Sequence, residues 1–367
     1  MVLLHHARRG FDLDNLFQNN PQILSWVYFK AFNVLHIDLT WVYYGLQEVI
    51  YKIKGVLGVQ IFFVISGFLI TRFFLNKTID LKLIRYFYLR RFLRVYPAYI
   101  AMILVGLIYL SLNIKISFSE FMLSFLKYAF FLQNYFPRNF LFEHTWTMVV
   151  FEQFYLFVPF IIYGVFKIFK SAKMRWMALF SLFILAKFLG PVIRSSYLLN
   201  GEAVINWPLK APAPYFTTLY HIGSLGVGGI LALLEVHANK FKKSKWIGLP
   251  FWIVGVVLYW FLYFHFDWNY NHGSWCLYTL GSMACACLMI AAYQGVSFIT
   301  NFKWMQLIGR HSYGIYLWHI LIFLFWVKFI DIIPVSALVV IYFLSAFAVG
   351  VISTKTIEYY FLKLFKG

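Results

Sequence analysis

The chain is predicted to be all-α, a polytopic bundle of transmembrane helices, and three observations predict it. Of its 367 residues, 62% are hydrophobic and 12% charged, about half the charge density of an ordinary soluble domain. Apolar runs of about 20 residues, the length that crosses a hydrocarbon core about 30 Å thick, recur from one end to the other. The basic residues sit in short clusters between these runs, the pattern of cytoplasmic connections rather than of one soluble face. A net charge of +19 therefore implies no nucleic-acid partner. Anionic membrane lipid accounts for much of it, and an anionic cytosolic substrate for the remainder.

Candidate spans are 56–75, 95–112, 146–166, 176–193, 216–236, 246–266, 275–297, 312–330 and 334–353. The stretch 119–136 is apolar but carries Glu120 and Lys127, and is predicted to be a helix lying at the interface. Seven basic residues stand between Arg72 and Arg94 against one acid, Asp80. Further clusters are Lys167/Lys170/Lys173/Arg175, Lys240/Lys242/Lys243/Lys245, Lys303/Arg310 and a tail with Lys355, Lys363 and Lys366. They fall on alternate connections, which places them all on the cytoplasmic side.

That orientation runs 56–75 from outside to inside, so a helix must precede it. The stretch 22–46 is long enough, but Lys30, His36 and Asp38 stand in its middle, at a cost of several kcal/mol on insertion scales. The alternative takes residues 1–6 as the remnant of a helix that begins upstream. Residues 7–54 are then an external excursion, and 55–367 the remaining helices of one membrane domain. Cys276, Cys285 and Cys287 lie in one apolar stretch without paired spacing, which indicates neither a disulfide framework nor a metal site.

Three further stretches carry a resemblance. The first is Gly55-Val-Leu-Gly58 through Ser66-Gly-Phe-Leu-Ile-Thr-Arg72, followed by Tyr88-Leu-Arg-Arg-Phe-Leu-Arg-Val-Tyr-Pro-Ala-Tyr99. The second is His144-Thr-Trp-Thr-Met-Val-Val-Phe-Glu-Gln-Phe-Tyr155, and the third Ser312-Tyr-Gly-Ile-Tyr-Leu-Trp-His319. In order and spacing they resemble the acyltransferase-3 family of membrane O-acyltransferases, which modify sugars of surface polysaccharides. The resemblance implies about ten spans, cytoplasmic termini in the full-length form, and an integral multi-pass protein of the bacterial inner membrane. It also implies acyl-CoA, acetyl-CoA foremost, as cytosolic donor, no metal, and a glycan or lipid-linked glycan acceptor on the far face. The family's first helix carries an Arg and, about eleven positions later, the histidine assigned to catalysis. His6 stands at the matching place, with its Arg partner falling before Met1; His36 is the competing match. Relatives carry a Glu five positions after the motif's Trp, where this chain has Phe151 and then Glu152.

Acyl transfer from a thioester to an alcohol needs a base for the hydroxyl and donors for the developing oxyanion. Histidine is the natural base near neutral pH, which makes His6, or alternatively His36, the catalytic candidate. Glu152, an ionisable group inside an apolar span, is a functional candidate because burying it is costly; interhelix hydrogen bonding is its structural alternative. Arg90, Arg91 and Arg94, with Arg72, are the candidates for the phosphates of the donor. Positions 90 and 94 share a helical face with 91 beside them, although anchoring to anionic lipid accounts for the same charges. A transporter or flippase of lipid-linked sugars is the alternative function, and the absence of a convincing internal repeat counts against it.

Overall fold

A computed structural model of the protein describes residues 55–113, 117–135, 140–199, 217–238, 243–265, 273–296, 302–329 and 332–364. The helices are α1 (Gly55–Leu75), α2 (Leu81–Asn113), α3 (Phe118–Ala129), α4 (Trp146–Ile168), α5 (Ala172–Leu199), α6 (Thr218–Ala238), α7 (Lys245–His265), α8 (Gly273–Tyr293), α9 (Lys303–Val327) and α10 (Val335–Ser353). The last continues through a π-helical turn, Thr354–Glu358, into α11 (Tyr359–Leu364). No strand occurs among the described residues. Among the described residues, seven rods are long and apolar enough to cross a membrane: α1, α2, α4, α5, α6, α7 and the α10–α11 unit. The all-α polytopic reading therefore holds. Helix α9 spans 25 residues but is less apolar, because it turns a polar face inward and buries His311 and His319. The expected first-helix remnant at 1–6 and the excursion at 7–54 lie outside the described residues.

Helices α2 and α9 begin earlier than the sequence reading places them, α9 at Lys303 rather than 312. Helix α2 begins at Leu81 rather than 95, so the arginine-rich stretch is itself helical. Pro97 reads as a first-turn proline, yet the start signal is Asp80, whose Oδ1 accepts a hydrogen bond from the Leu83 amide at 2.7 Å in the manner of an N-cap. Helix α3 ends at Ala129, short of the expected 136, and packs against α2. The carbonyls of Tyr128 and Ala129 accept hydrogen bonds from the hydroxyls of Tyr99 and Tyr96. Its stop is a reversal at Phe131, φ +55°, with the Leu132 amide bonded back to the Lys127 carbonyl at 2.8 Å. Glycine usually holds that left-handed position. Here the Phe131 ring stacks on Tyr99 at 4.9 Å, and no residue type marked the stop in the sequence.

Helix α6 is the centre of the bundle, with 72% of its membrane-length window buried. Lipid tails are as apolar as leucine, so helices associate there through close packing of small residues. One face of α6 meets α1 at Gly228: a Cβ there would lie 2.1 Å from the Val64 carbonyl oxygen. Reciprocally, a Cβ on Gly67 would lie 2.0 Å from the Leu225 oxygen. The three-residue spacing of Gly223, Gly226 and Gly229 forms a second face against Lys187 and Phe183 of α5. Helices α9 and α10 cross at Gly314 and Gly350 in the same way.

The basic connections gather at one end of this bundle. Arg72 at the end of α1 pairs with Glu235 at the end of α6. Lys77 from the α1–α2 connection lines a shared surface depression with Lys167 and Arg175 of the α4–α5 turn. Lys243 lies over the ring of Tyr293, joining the α6–α7 and α8–α9 connections.

Candidate active site

Helices α1, α2, α4 and α9 enclose a cavity of about 420 Å³. Each helix contributes one face. From α2 come Arg90, Arg91, Arg94 and Val95, and from α4 Thr147, Met148, Phe151 and Tyr155. Ser312, Tyr313 and Tyr316 come from α9, while α1 supplies an apolar wall interrupted by Ser66. The result is a chamber with an arginine cluster and otherwise neutral walls.

The three arginines are not equivalent. Arg91 pairs with Glu152 through two contacts, Nη2 to Oε1 at 2.7 Å and Nε to Oε2 at 3.3 Å. Its guanidinium carbon sits 3.4 Å from the centroid of the Tyr155 ring. Beside it the Tyr88 hydroxyl donates to the Leu156 carbonyl at 2.6 Å. These bonds lock α2 to α4, and they place Arg91 as a strut whose charge Glu152 balances. Arg90 and Arg94 are exposed and in no ion pair among the described residues. Among the described residues Arg90 has a long 3.5 Å contact to the Tyr86 hydroxyl. Arg94 also feels the carboxylate of Glu358 without touching it, and a fork-shaped donor that holds no direct ion pair is available to an anion, which a strut is not.

Arg72, the fourth candidate for donor phosphates, is not among the cavity's lining residues. Val64, Gly67 and Phe68 of α1 meet α6, and Arg72 reaches across to the same helix. Its Nε bonds Glu235 Oε2 at 2.6 Å, with the carboxylate side chain 7% exposed. Glu152 has Arg91, and no histidine, as its partner among the described residues. Both candidate bases, His6 and His36, fall outside the described residues.

A polar network behind the cavity escaped the sequence reading. The Tyr316 hydroxyl donates to the His144 carbonyl at 2.5 Å and lies 2.7 Å from Thr147 Oγ1. His144, which lies just before α4, is 1% exposed. Its Nε2 lies 3.1 Å from the Leu317 carbonyl. A carbonyl can only accept, so Nε2 carries the proton and Nδ1 is bare, without a hydrogen-bond partner among the described residues. The His319 ring stands edge-on to it at 5.0 Å, with Nδ1 2.5 Å from the Tyr316 carbonyl. The signal for this network was the spacing of Ser312, Tyr313, Tyr316 and His319, which repeats one helical face.

Burial pushes the His144 imidazole down to about 4, against a smaller opposing effect of the Leu317 carbonyl. An unfolded histidine titrates near 6.5, so the unfolded chain binds the extra proton first as pH falls. The stability that neutral His144 contributes is present above about pH 6.5 and is lost as pH falls toward 4. Unfolding temperature in detergent should fall across that window, and His144→Asn should flatten the fall.

The chain matches the acyltransferase-3 family, described as an acyltransferase domain, over residues 1–355. It is 28% identical over 286 residues to SACOL0978 of Staphylococcus aureus (strain COL), named provisionally as an O-acetyltransferase, covering 72% of this chain and 45% of that protein. It is also 28% identical over 296 residues to O-acetyltransferase OatA of Staphylococcus aureus (strain NCTC 8325 / PS 47), covering 74% of this chain and 46% of the relative. The match thus spans about half the length of these curated relatives. No solved structure matches the chain. With the family matched over nearly its full length and the motif residues of α2, α4 and α9 gathered around one cavity, the chain belongs to the acyltransferase-3 family.

Proposed function

We propose that the chain is a membrane O-acyltransferase of the bacterial inner membrane. It takes an acetyl or other short acyl group from cytosolic acyl-CoA and places it on a hydroxyl of a cell-surface or lipid-linked glycan. The observation that carries this reading is the cavity with a cluster of arginines and neutral walls. Coenzyme A joins a strongly anionic nucleotide end to a long uncharged arm that ends in the thioester. Arg90 and Arg94 suit the first, and the chamber with Ser66, Thr147 and Ser312 suits the second. The basic end of the bundle faces the cytosol in this reading, in line with the positive-inside rule.

The transfer needs little more than placement and a base. The acceptor's hydroxyl proton passes to an imidazole, His6 or alternatively His36, as the oxygen attacks the acyl carbon. The carbon–sulfur bond then breaks, and the leaving thiolate takes up a proton. Glu152 serves by holding Arg91 and thereby the α2–α4 wall.

Hydrogen bonds to charged groups contribute about 1.5–3 kcal/mol each. Arg90→Ala and Arg94→Ala should therefore each raise KM for acetyl-CoA about tenfold to a hundredfold, with folding intact. Arg94→Lys should recover only part, because a point charge lacks the fork. The reading itself is tested by supplying membranes with labelled acetyl-CoA and glycan. Label should enter the glycan; glycan crossing the membrane unlabelled would overturn the transferase reading and support a transporter.

A further inference from the structure

A second cavity, about 630 Å³, lies between α4, α5 and α6, on the other side of α4 from the arginine chamber. Adjacent residues divide the two: Glu152 turns to Arg91 and Gln153 to the second cavity. One position is about 100° of helix, so α4 is their common wall. The nine helical steps from Gln153 to Ile162 give this groove a wall about 14 Å long at 1.5 Å per residue.

The groove is polar at one end and apolar along its length. At the polar end Gln153 Oε1 accepts hydrogen bonds from the hydroxyls of Tyr135 at 3.0 Å and Thr218 at 2.5 Å. Away from that end the walls are aliphatic and aromatic. Phe157, Ile161, Leu182 and Leu185 of this wall are 61%, 47%, 41% and 60% exposed, on rods that span a membrane, so the groove opens toward lipid. No Lys, Arg, Asp or Glu lines it among the described residues. The cationic residues gather elsewhere, three at the first cavity and Lys77, Lys167 and Arg175 at the depression beyond the α4–α5 turn.

We propose that this groove binds the hydrocarbon chain of a neutral, hydroxyl-bearing membrane lipid, with its head at Gln153, Tyr135 and Thr218. Hydroxyls and an amide satisfy the alcohols of a glycerol or sugar head. They leave a phosphate without a counter-charge, which is costly where water is scarce. The chain replaces apolar contacts that the groove otherwise lacks, and the walls are spaced for a site of ligand size. This site is independent of the donor chamber and of the acyl-transfer reading.

The test uses the full chain in nanodiscs with two diazirine probes of identical tails, a galactosyl diacylglycerol and a phosphatidylglycerol. The neutral probe is expected to label peptides within 153–162 and 179–189 at least fivefold more than the anionic one. Leu182→Trp, which fills the groove from its lipid side, should cut that labelling several-fold. Ile253→Trp on the exposed face of α7 should not. Gln153→Leu should erase the preference between the probes while labelling persists. Equal labelling by both probes in the wild type, labelling confined to other helices, or labelling untouched by Leu182→Trp would overturn the proposal.

Discussion

Gly67→Ala should remove most of the folded protein, whereas Gly164→Ala should leave it intact. A single methyl on Gly67 would sit 2.0 Å from the Leu225 carbonyl oxygen and 2.9 Å from its carbon. These are backbone atoms of a packed helix and cannot rotate away. The facing Gly228 would meet Val64 and Phe68 in the same manner, so neither helix can shift to make room without opening the whole α1–α6 contact. Overpacking that side chains can absorb costs about 1–3 kcal/mol. Against a backbone the cost should exceed that range, and whole-domain stability is only about 5–15 kcal/mol. Gly164 of α4 has nothing within 4 Å of its would-be Cβ, and alanine there should gain up to about 1 kcal/mol of helix propensity. Yield of monodisperse protein and its unfolding temperature in detergent measure both.

The second large effect concerns Arg91 and Glu152. Replacing either alone leaves a charge half-withdrawn from water without its partner, and the side chains are 22% and 21% exposed. Breaking a fully buried pair costs about 3–5 kcal/mol; this pair, partly screened, should cost about 2–3 kcal/mol. Arg91→Glu should do worse than Arg91→Ala, since it sets two carboxylates face to face. Exchanging the partners, Arg91→Glu with Glu152→Arg, should restore at least half of the lost thermal stability. Recovery should be incomplete because the stacking of Arg91 on Tyr155 is lost with the exchange. A double variant no more stable than the worse single one would show that the two side chains are not coupled.

The sequence made the bundle legible because lipid is a demanding solvent: each rod must be apolar for about 20 residues, and hydropathy reads that directly. The shared face of Arg90 and Arg94 was legible for a similar reason, since four residues bring a helix round to the same side. The partner of Arg91 was not. It stands 61 positions away, and no local pattern records which helix a side chain meets. A glycine inside an apolar span suits a close helix contact, but only the crossing names Gly228 as the counterpart of Gly67. The end of helix α3 was not legible, because Phe131 takes a backbone conformation that its residue type rarely adopts. The His144–Tyr316–Thr147 network joins residues up to 172 positions apart, and its link to His144 is a main-chain carbonyl, which carries no identity in a sequence.

The central claim is that the chamber between α1, α2, α4 and α9 receives the donor, and cysteine protection tests it most directly. In a background with Cys276, Cys285 and Cys287 replaced by alanine, Ser312→Cys places a thiol on the chamber wall and Ser119→Cys one on the exposed side of α3. Coenzyme A should slow maleimide labelling at position 312 at least tenfold and leave position 119 unchanged, with protection lost in Arg90→Ala/Arg94→Ala. Equal labelling rates at position 312 with and without saturating coenzyme A would contradict the assignment of this chamber to the donor.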